Sequence, residues 1–140
     1  MEYLITIKQP YVDYIFLHKK IYEVRKVVPK KLCCGDIIYF CVKGNGNIVV
    51  GRFDVGGIIY TTTRKVIRKY LKDTMVTDDD LIRYMGYKTL DDFEIVLERK
   101  VYLIIINHVR NVRPFHVSLL GLKSAPQGFV KIDSSKIIRK

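Results

Sequence analysis

The chain has 140 residues, nearly half of them hydrophobic, with ten Tyr, six Phe and no Trp; that composition excludes a disordered chain and predicts a packed core. The length suits a single domain able to bury roughly 68–70% of the surface its unfolded form exposes, with no need of a disulfide staple. The 25 Lys and Arg outnumber the 14 Asp and Glu for a formal net charge of +11, which points to a polyanionic partner, because phosphates release counterions when cations neutralise them.

Residues 3–7 are rich in β-formers and alternate weakly, which predicts a first strand. Lys8, Gln9 and Pro10 turn the chain, and Pro10 suits the first turn of a short helix, where its missing N–H costs nothing. Tyr11, Tyr14, Ile15 and His18 share one face of that helix, Val12 and Phe16 flank it, and it ends near His18 or Lys19. Residues 21–28 make a second strand closed by Pro29. Gly35 and Asp36 form a turn, 37–42 an apolar strand, and Gly44-Asn45-Gly46-Asn47 a hairpin turn, since Gly and Asn tolerate positive φ. The returning strand, 48–60, is expected to bend at Gly51 or at Gly56 and Gly57, because glycines inside strands mark bulges and barrel corners. Residues 64–72 read as a helix with Val66, Ile67, Tyr70 and Leu71 on one side and Arg64, Lys65, Arg68, Lys69 and Lys72 on the other. Thr77 followed by Asp78, Asp79 and Asp80 is an N-cap with an acidic first turn, and Gly86 is a C-terminal stop. Thr89 and Asp92 resemble a weaker capping box opening a further helix. Residues 101–109 are the strongest later strand, Pro114 is expected to break regular structure beyond them, and 129–132 supply a final strand. Few helices set against several short, glycine-punctuated strands predict an α+β fold with a curled or closed sheet.

Glu2 and Lys8 interrupt the first apolar stretch, so no signal peptide is expected, and apolar runs such as 101–106 are far too short to span a bilayer. Cys33, Cys34 and Cys41 have no C-x-x-C spacing and no His cluster beside them; they read as buried thiols of a cytoplasmic protein, with no metal and no cofactor expected. His108 and His116 lie in or after an apolar strand as satisfied histidines, and the carboxylates at 78–80 are explained by the helix macrodipole.

The segment from His18 to Lys26 carries the chemistry. In a strand Glu23 and Arg25 point to one side and Tyr22 to the other. Glu23 and Arg25 share their side with Ile21 and Val27, which read as core. A carboxylate and a guanidinium on a mostly apolar face must pair or meet a ligand. Either they form a structural ion pair closing one end of a barrel, or they line an opening that Lys20 overhangs.

These residues resemble a family signature. His18-x-Lys20-x-x-Glu23-x-Arg25 matches three of the four positions of the G-x-K-x-x-E-x-R element of the ASCH domains. Ile7-Lys8-Gln9-Pro10 is similar to the family's opening turn, Gly35-Asp36 to its G-D turn, and Gly51-Arg52-Phe53-Asp54-Val55 to its G-x-F-x-V strand. Ala125-Pro126-Gln127 is similar to the element before its last strand. The resemblance spans most of the chain in the right order. It implies a PUA-like small β-barrel with flanking helices, and a cleft beside the first helix used in RNA binding or RNA-linked chemistry. His18 stands where the family has glycine, at a left-handed helix end that His adopts less readily. Some ASCH-like amidohydrolases of acetylated cytidine use a K-x-x-T pair; here Glu23 stands three residues after Lys20 and the Thr is absent, which counts against that chemistry.

Three readings are open. In the first, a non-catalytic module binds RNA or a nucleotide: Lys20 and Arg25 contact phosphate or base edges, Glu23 holds Arg25, Lys8, Gln9 and Gln127 line the rim, and Tyr11, Tyr14 or Tyr22 stack on bases. The basic helix, through Arg64, Lys65, Arg68 and Lys69, then adds sequence-independent affinity or is simply a solvated face. In the second, a hydrolase acts on RNA or a modified nucleoside, with Lys20 as base or electrostatic stabiliser and Glu23 as general acid or base; a shifted pKa at Lys20 or Glu23 inside a real pocket is its signature. In the third, a protein-interaction adaptor turns its positive surface to an acidic partner; a monomer is expected in all three.

Overall fold

The computed structural model of the chain describes residues 1–44, 47–86 and 92–137. Its strands are β1 (Glu2–Ile7), β2 (Tyr22–Arg25), β3 (Ile37–Val42), β4 (Ile48–Thr62), β5 (Lys100–His116) and β6 (Val130–Ile132). They form one mixed sheet in the order β2-β5-β4-β3-β1-β6, with β1 and β3 parallel and every other neighbouring pair antiparallel. The α-helices are α1 (Tyr11–Phe16), α2 (Thr63–Lys65), α3 (Leu71–Thr74), α4 (Asp78–Tyr84) and α5 (Phe93–Glu98); a π-helical turn, Val66–Tyr70, joins α2 to α3. None of the described helices is long and apolar enough to cross a membrane.

In a flat sheet β2 and β1 would stand four strand spacings apart, about 19 Å at ~4.8 Å each. Yet the Arg25 guanidinium on β2 donates to the Thr6 carbonyl on β1 at 2.8 Å. No arginine side chain crosses the flat distance, so the sheet curls until its edges approach, and Arg25 stitches the seam of a small barrel. The curl is made where the β4 and β5 rungs slip, between Val49 and Gly51, Arg52 and Asp54, and Val55 and Gly57. Two of these slips end at glycines that the sequence predicts as bends. Gly51 has a second role: a Cβ there would meet Phe40 at 2.5 Å and Phe16 at 2.7 Å, so the bare backbone is what lets α1 lie on the sheet.

Burial follows the curl. Inside it, Ile5, Ile38, Phe40, Phe53, Val55 and Ile104 pack with Val12 and Ile15 of α1. Outside β2 and β5, Val24, Val101 and Leu103 pack against Val66, Leu81, Met85 and Val96 of the helical region. On the remaining outer face, Leu4, Tyr39, Cys41 and Val49 are covered by Phe115, Val117 and the C-terminal segment.

Several expectations are corrected. Ile21 and Val27 are not core: they are 41% and 77% exposed, because the register with β5 covers only residues 22–25 and Ile21 adds to it just its carbonyl, which accepts from Ile106 N at 2.9 Å. Pro114 does not end β5, which continues to His116. Val49 pairs with Phe115 and Gly51 with Asn111, so Pro114 sits in a bulge where the ladder needs no N–H from it. Cys33 and Cys34 are exposed on the loop before β3, and of the three thiols Cys41 alone is buried. His18 is exposed too, since the buried face of α1 is Val12 and Ile15.

Other expectations meet the structure directly. The helix expected over 64–72 is present as α2, the π-helical turn and α3, and it opens under a cap the sequence reading did not name: Thr62 accepts from Lys65 N at 3.2 Å. The Thr77 hydroxyl accepts from Asp80 N at 3.1 Å to cap α4, and Gly86 closes that helix in the left-handed region at φ +104. Asp92 precedes α5. Asn45 and Gly46 of the predicted hairpin turn, and Thr89 of the predicted capping box, lie outside the described residues.

Candidate functional site

The placement of Lys20 begins with how α1 ends. His18 takes φ +59, its N–H donates to the Ile15 carbonyl at 3.0 Å, and the Lys19 N–H donates to the Tyr14 carbonyl at 2.9 Å. This bond pair is a Schellman motif with His18 in the left-handed position that glycine ordinarily fills. A third bond, from Lys20 N to the same Tyr14 carbonyl at 3.1 Å, directs the chain back inward.

Lys20 is consequently 2% exposed. Its ammonium donates to the Thr74 carbonyl at 2.6 Å, one of the carbonyls left unpaired at the C-terminal end of α3. It stands 3.6 Å from Glu23 Oε1 and 5.0 Å from the centre of the Tyr11 ring. β2 alternation turns Glu23 and Arg25 to the same side. Arg25 grips Glu23 Oε2 through Nε at 3.2 Å and its terminal nitrogen at 3.0 Å, and lies 5.6 Å from the Phe129 ring. Three charges are thus chained, Lys20 to Glu23 to Arg25, with Glu23 itself 6% exposed. Burial lowers the proton affinity of Lys20, against the pull of Glu23 and with the help of Arg25. Burial also raises the phenol pKa of Tyr11, which Asp80 and Glu23 reinforce, and that of Tyr84, although the Lys26 N–H donated to its oxygen opposes this.

This triad faces a cavity of about 800 Å³. One wall is the end of β1 and the start of α1, with Thr6, Lys8, Gln9 and Tyr11. The opposite wall is α4, which brings Asp80, Arg83 and Tyr84. Lys43, just after β3, and Pro126 and Gln127, before β6, complete the rim. The volume suits a small ligand or a single nucleotide unit. Six of the sequence-derived site candidates, Lys8, Gln9, Lys20, Glu23, Arg25 and Gln127, therefore meet in one place, together with Tyr11.

The rest stand elsewhere. Tyr22 points to the helical side of β2 and packs edge-on against Tyr70, ring centres 5.4 Å apart. Arg64, Lys65, Arg68 and Lys69 do not line the cavity. Arg64 is held by Glu98 at 3.0 Å and Glu94 at 3.1 Å, and Lys69 rests 5.3 Å from the Tyr70 ring. Sequence reasoning missed Thr6, Lys43, Asp80, Arg83 and Tyr84. Nothing local marks them: the carboxylate run at 78–80 reads as a helix start, which it is, and only the packing of α4 across the barrel seam makes it a cavity wall.

The fold has solved counterparts. The structure of ASCH from Zymomonas mobilis is similar to this one with a TM-score of 0.78 at 14% identity, covering 96% of this chain and 90% of that one. The hypothetical protein PH0355 matches with a TM-score of 0.52 at 19% identity, over 80% of this chain and 100% of that one. No protein-family model matches the sequence, and no curated protein does. The chain has the ASCH fold, α+β with a six-stranded mixed sheet and flanking helices.

Proposed function

We propose that the cavity beside α1 binds RNA or a nucleotide. The observation that carries this reading is the convergence of cations on one opening: Lys20 and Arg25 at its floor, and Lys8, Lys43 and Arg83 around it, in a chain of net charge +11. Arg25 already commits one side of its guanidinium to Glu23 and one nitrogen to Thr6, which pre-orients it for a phosphate or a base edge. Phosphate neutralisation by such a cluster makes affinity fall steeply with salt. The test is fluorescence anisotropy of labelled single-stranded RNA at low and near-physiological salt, with the RNA checked for cleavage afterwards. Lys8→Glu/Lys43→Glu, at two exposed positions, is expected to weaken binding by tenfold or more without lowering the melting temperature. Equal binding by both proteins would sink the cleft reading and leave generic charge.

A second reading, hydrolysis of RNA or a modified nucleoside, draws on one observation: a buried lysine of lowered pKa, adjacent to a carboxylate, inside a cavity. Lys20 would then serve as base or stabiliser and Glu23 as acid or base. The Thr of the acetylcytidine amidohydrolases has no counterpart, because position 23 is glutamate. Turnover that survives Lys20→Met with Glu23→Gln would dismiss this site as its source.

A further inference from the structure

The cavity is not an isolated hole, because a row of side chains leads out of it. Arg25 stands directly opposite Tyr102 in the β2–β5 ladder, and Tyr102 stands directly opposite Tyr60 in the β4–β5 ladder. Residues opposite one another in register point to the same side of a sheet. Arg25, Tyr102 and Tyr60 therefore form one line across three strands, starting in the cavity wall. Glu23, two pairs further along β2 and so on the same side, stands opposite Ile104, a residue of the barrel interior. The row accordingly lies on the interior side of the sheet but beyond the filled core.

Its aromatic part is unlike the protein's other tyrosine packing. The Tyr60 and Tyr102 rings lie 4.5 Å apart at 32°, close to an offset stack, and neither belongs to a hydrophobic cluster of the core. Tyr60 is 57% exposed. Lys100 shares the edge of this platform, its ammonium 5.6 Å from the Tyr60 ring centre, within reach of a phosphate laid along it. A cation, an exposed pair of tyrosines packed on each other and a second cation in sequence are elements by which single-stranded nucleic acid is bound without reading its bases.

We propose that the Tyr60–Tyr102 platform with Lys100 binds the nucleotides flanking the one in the cavity, so that the ligand is single-stranded RNA rather than a free nucleotide. This rests on the cleft reading above and narrows it. Two strand spacings, ~10 Å, separate Arg25 from Tyr60, a span that a few stacked nucleotides at ~3.4 Å each cover. A duplex does not fit the arrangement, because stacking on a tyrosine requires a base face that pairing and stacking in a duplex already cover.

The test uses two probes on the full chain: octauridylate, and uridine monophosphate as the cavity-sized control, both titrated by calorimetry at near-physiological salt. Tyr60→Leu keeps apolar bulk and removes the π face; Tyr60→Phe keeps it. Wild type is expected to bind the octamer more tightly than the mononucleotide. Tyr60→Leu is expected to weaken the octamer about fivefold to 150-fold, the worth of one stacked base, to leave the mononucleotide unchanged, and to be rescued by Tyr60→Phe. If Tyr60→Leu binds the octamer as wild type does, while Lys8→Glu weakens both probes, the platform is wrong and the cleft stands. If wild type binds neither probe, the cleft reading falls and the platform falls with it.

Discussion

Lys20 is the residue whose environment costs the most to build. An ammonium taken out of water needs partners, and Lys20 finds the Thr74 carbonyl, Glu23 and the Tyr11 ring. Lys20→Ala is expected to cost about 3 kcal/mol or more, since removing one partner of a buried charge pair leaves the others uncompensated; Lys20→Met, of similar volume, should cost less. Urea midpoints of the two variants check this. The lowered pKa adds a pH signature. Between the folded pKa and the ordinary lysine value the unfolded chain holds the proton that the folded chain has lost, so stability rises with pH through that window. Wild type should therefore gain on Lys20→Met as pH climbs from neutrality into the alkaline range. Tyr84 titrates in both proteins and drops out of the difference; the Tyr11 ring, 5.0 Å from the Lys20 ammonium, does not, and its phenol pKa is raised, so the comparison is read below the range where phenols titrate. At the same scale, His18 holds a left-handed conformation that costs a residue with a Cβ about 1 kcal/mol. His18→Gly is expected to raise stability by about that amount in the same denaturation experiment, with the Schellman turn and Lys20 unmoved.

At the scale of elements, the contact between α1 and the sheet controls the cleft. α1 bears Tyr11 on the cavity side and Val12, Ile15 and Phe16 toward the barrel interior. Its seat is Gly51, where Phe16 and Phe40 close over bare backbone. Gly51→Ala puts a methyl into two aromatic rings, of which Phe40 is fully buried. Overpacking of this kind is expected to cost about 1–3 kcal/mol, read from the chemical-denaturation midpoint, and to shift Phe16 and with it the α1 wall. The other wall, α4, depends on the Thr77 cap and on the Tyr84 hydroxyl that accepts the Lys26 N–H at 3.2 Å. Both walls are short helices, so the cavity is shaped by tertiary contacts rather than by helix propensity.

At the scale of the whole molecule, the question is which of 25 cations matter to a polyanion. Counting them favours the 64–72 run, but the structure divides that run from the cleft. Arg64 is neutralised by Glu94 and Glu98, which also hold its guanidinium pKa up, Glu98 most strongly. Arg64→Ala is therefore expected to leave single-stranded RNA affinity within about twofold, whereas Lys8→Glu, at the cavity rim, weakens it markedly. The slope of log affinity against log salt separates the two: every phosphate that a variant no longer neutralises should flatten it by roughly 0.7, for Lys8→Glu and not for Arg64→Ala. Anisotropy titrations across a series of salt concentrations measure both.

The sequence by itself determined what depends on neighbours in the chain. Strand alternation, glycine and proline punctuation and the Thr77 cap are local physics, and the elements β1, β3, β4 and α4 are legible from them. So is the Lys20-x-x-Glu23-x-Arg25 spacing, because two-residue periodicity alone puts the last two on one side of a strand. Tertiary structure decided what depends on distant backbone. Ile21 and Val27 look like core until the short β2–β5 pairing leaves them outside. Pro114 looks like a breaker until a bulge removes the need for its N–H. Lys20 becomes a buried, perturbed cation because α3 ends over it, and Arg83 and Tyr84 join the cavity because α4 crosses the seam that Arg25 stitches between β2 and β1. Hydrogen-bond periodicity is written residue by residue; curvature and closure come from slips between paired strands, and no single segment of the chain records them.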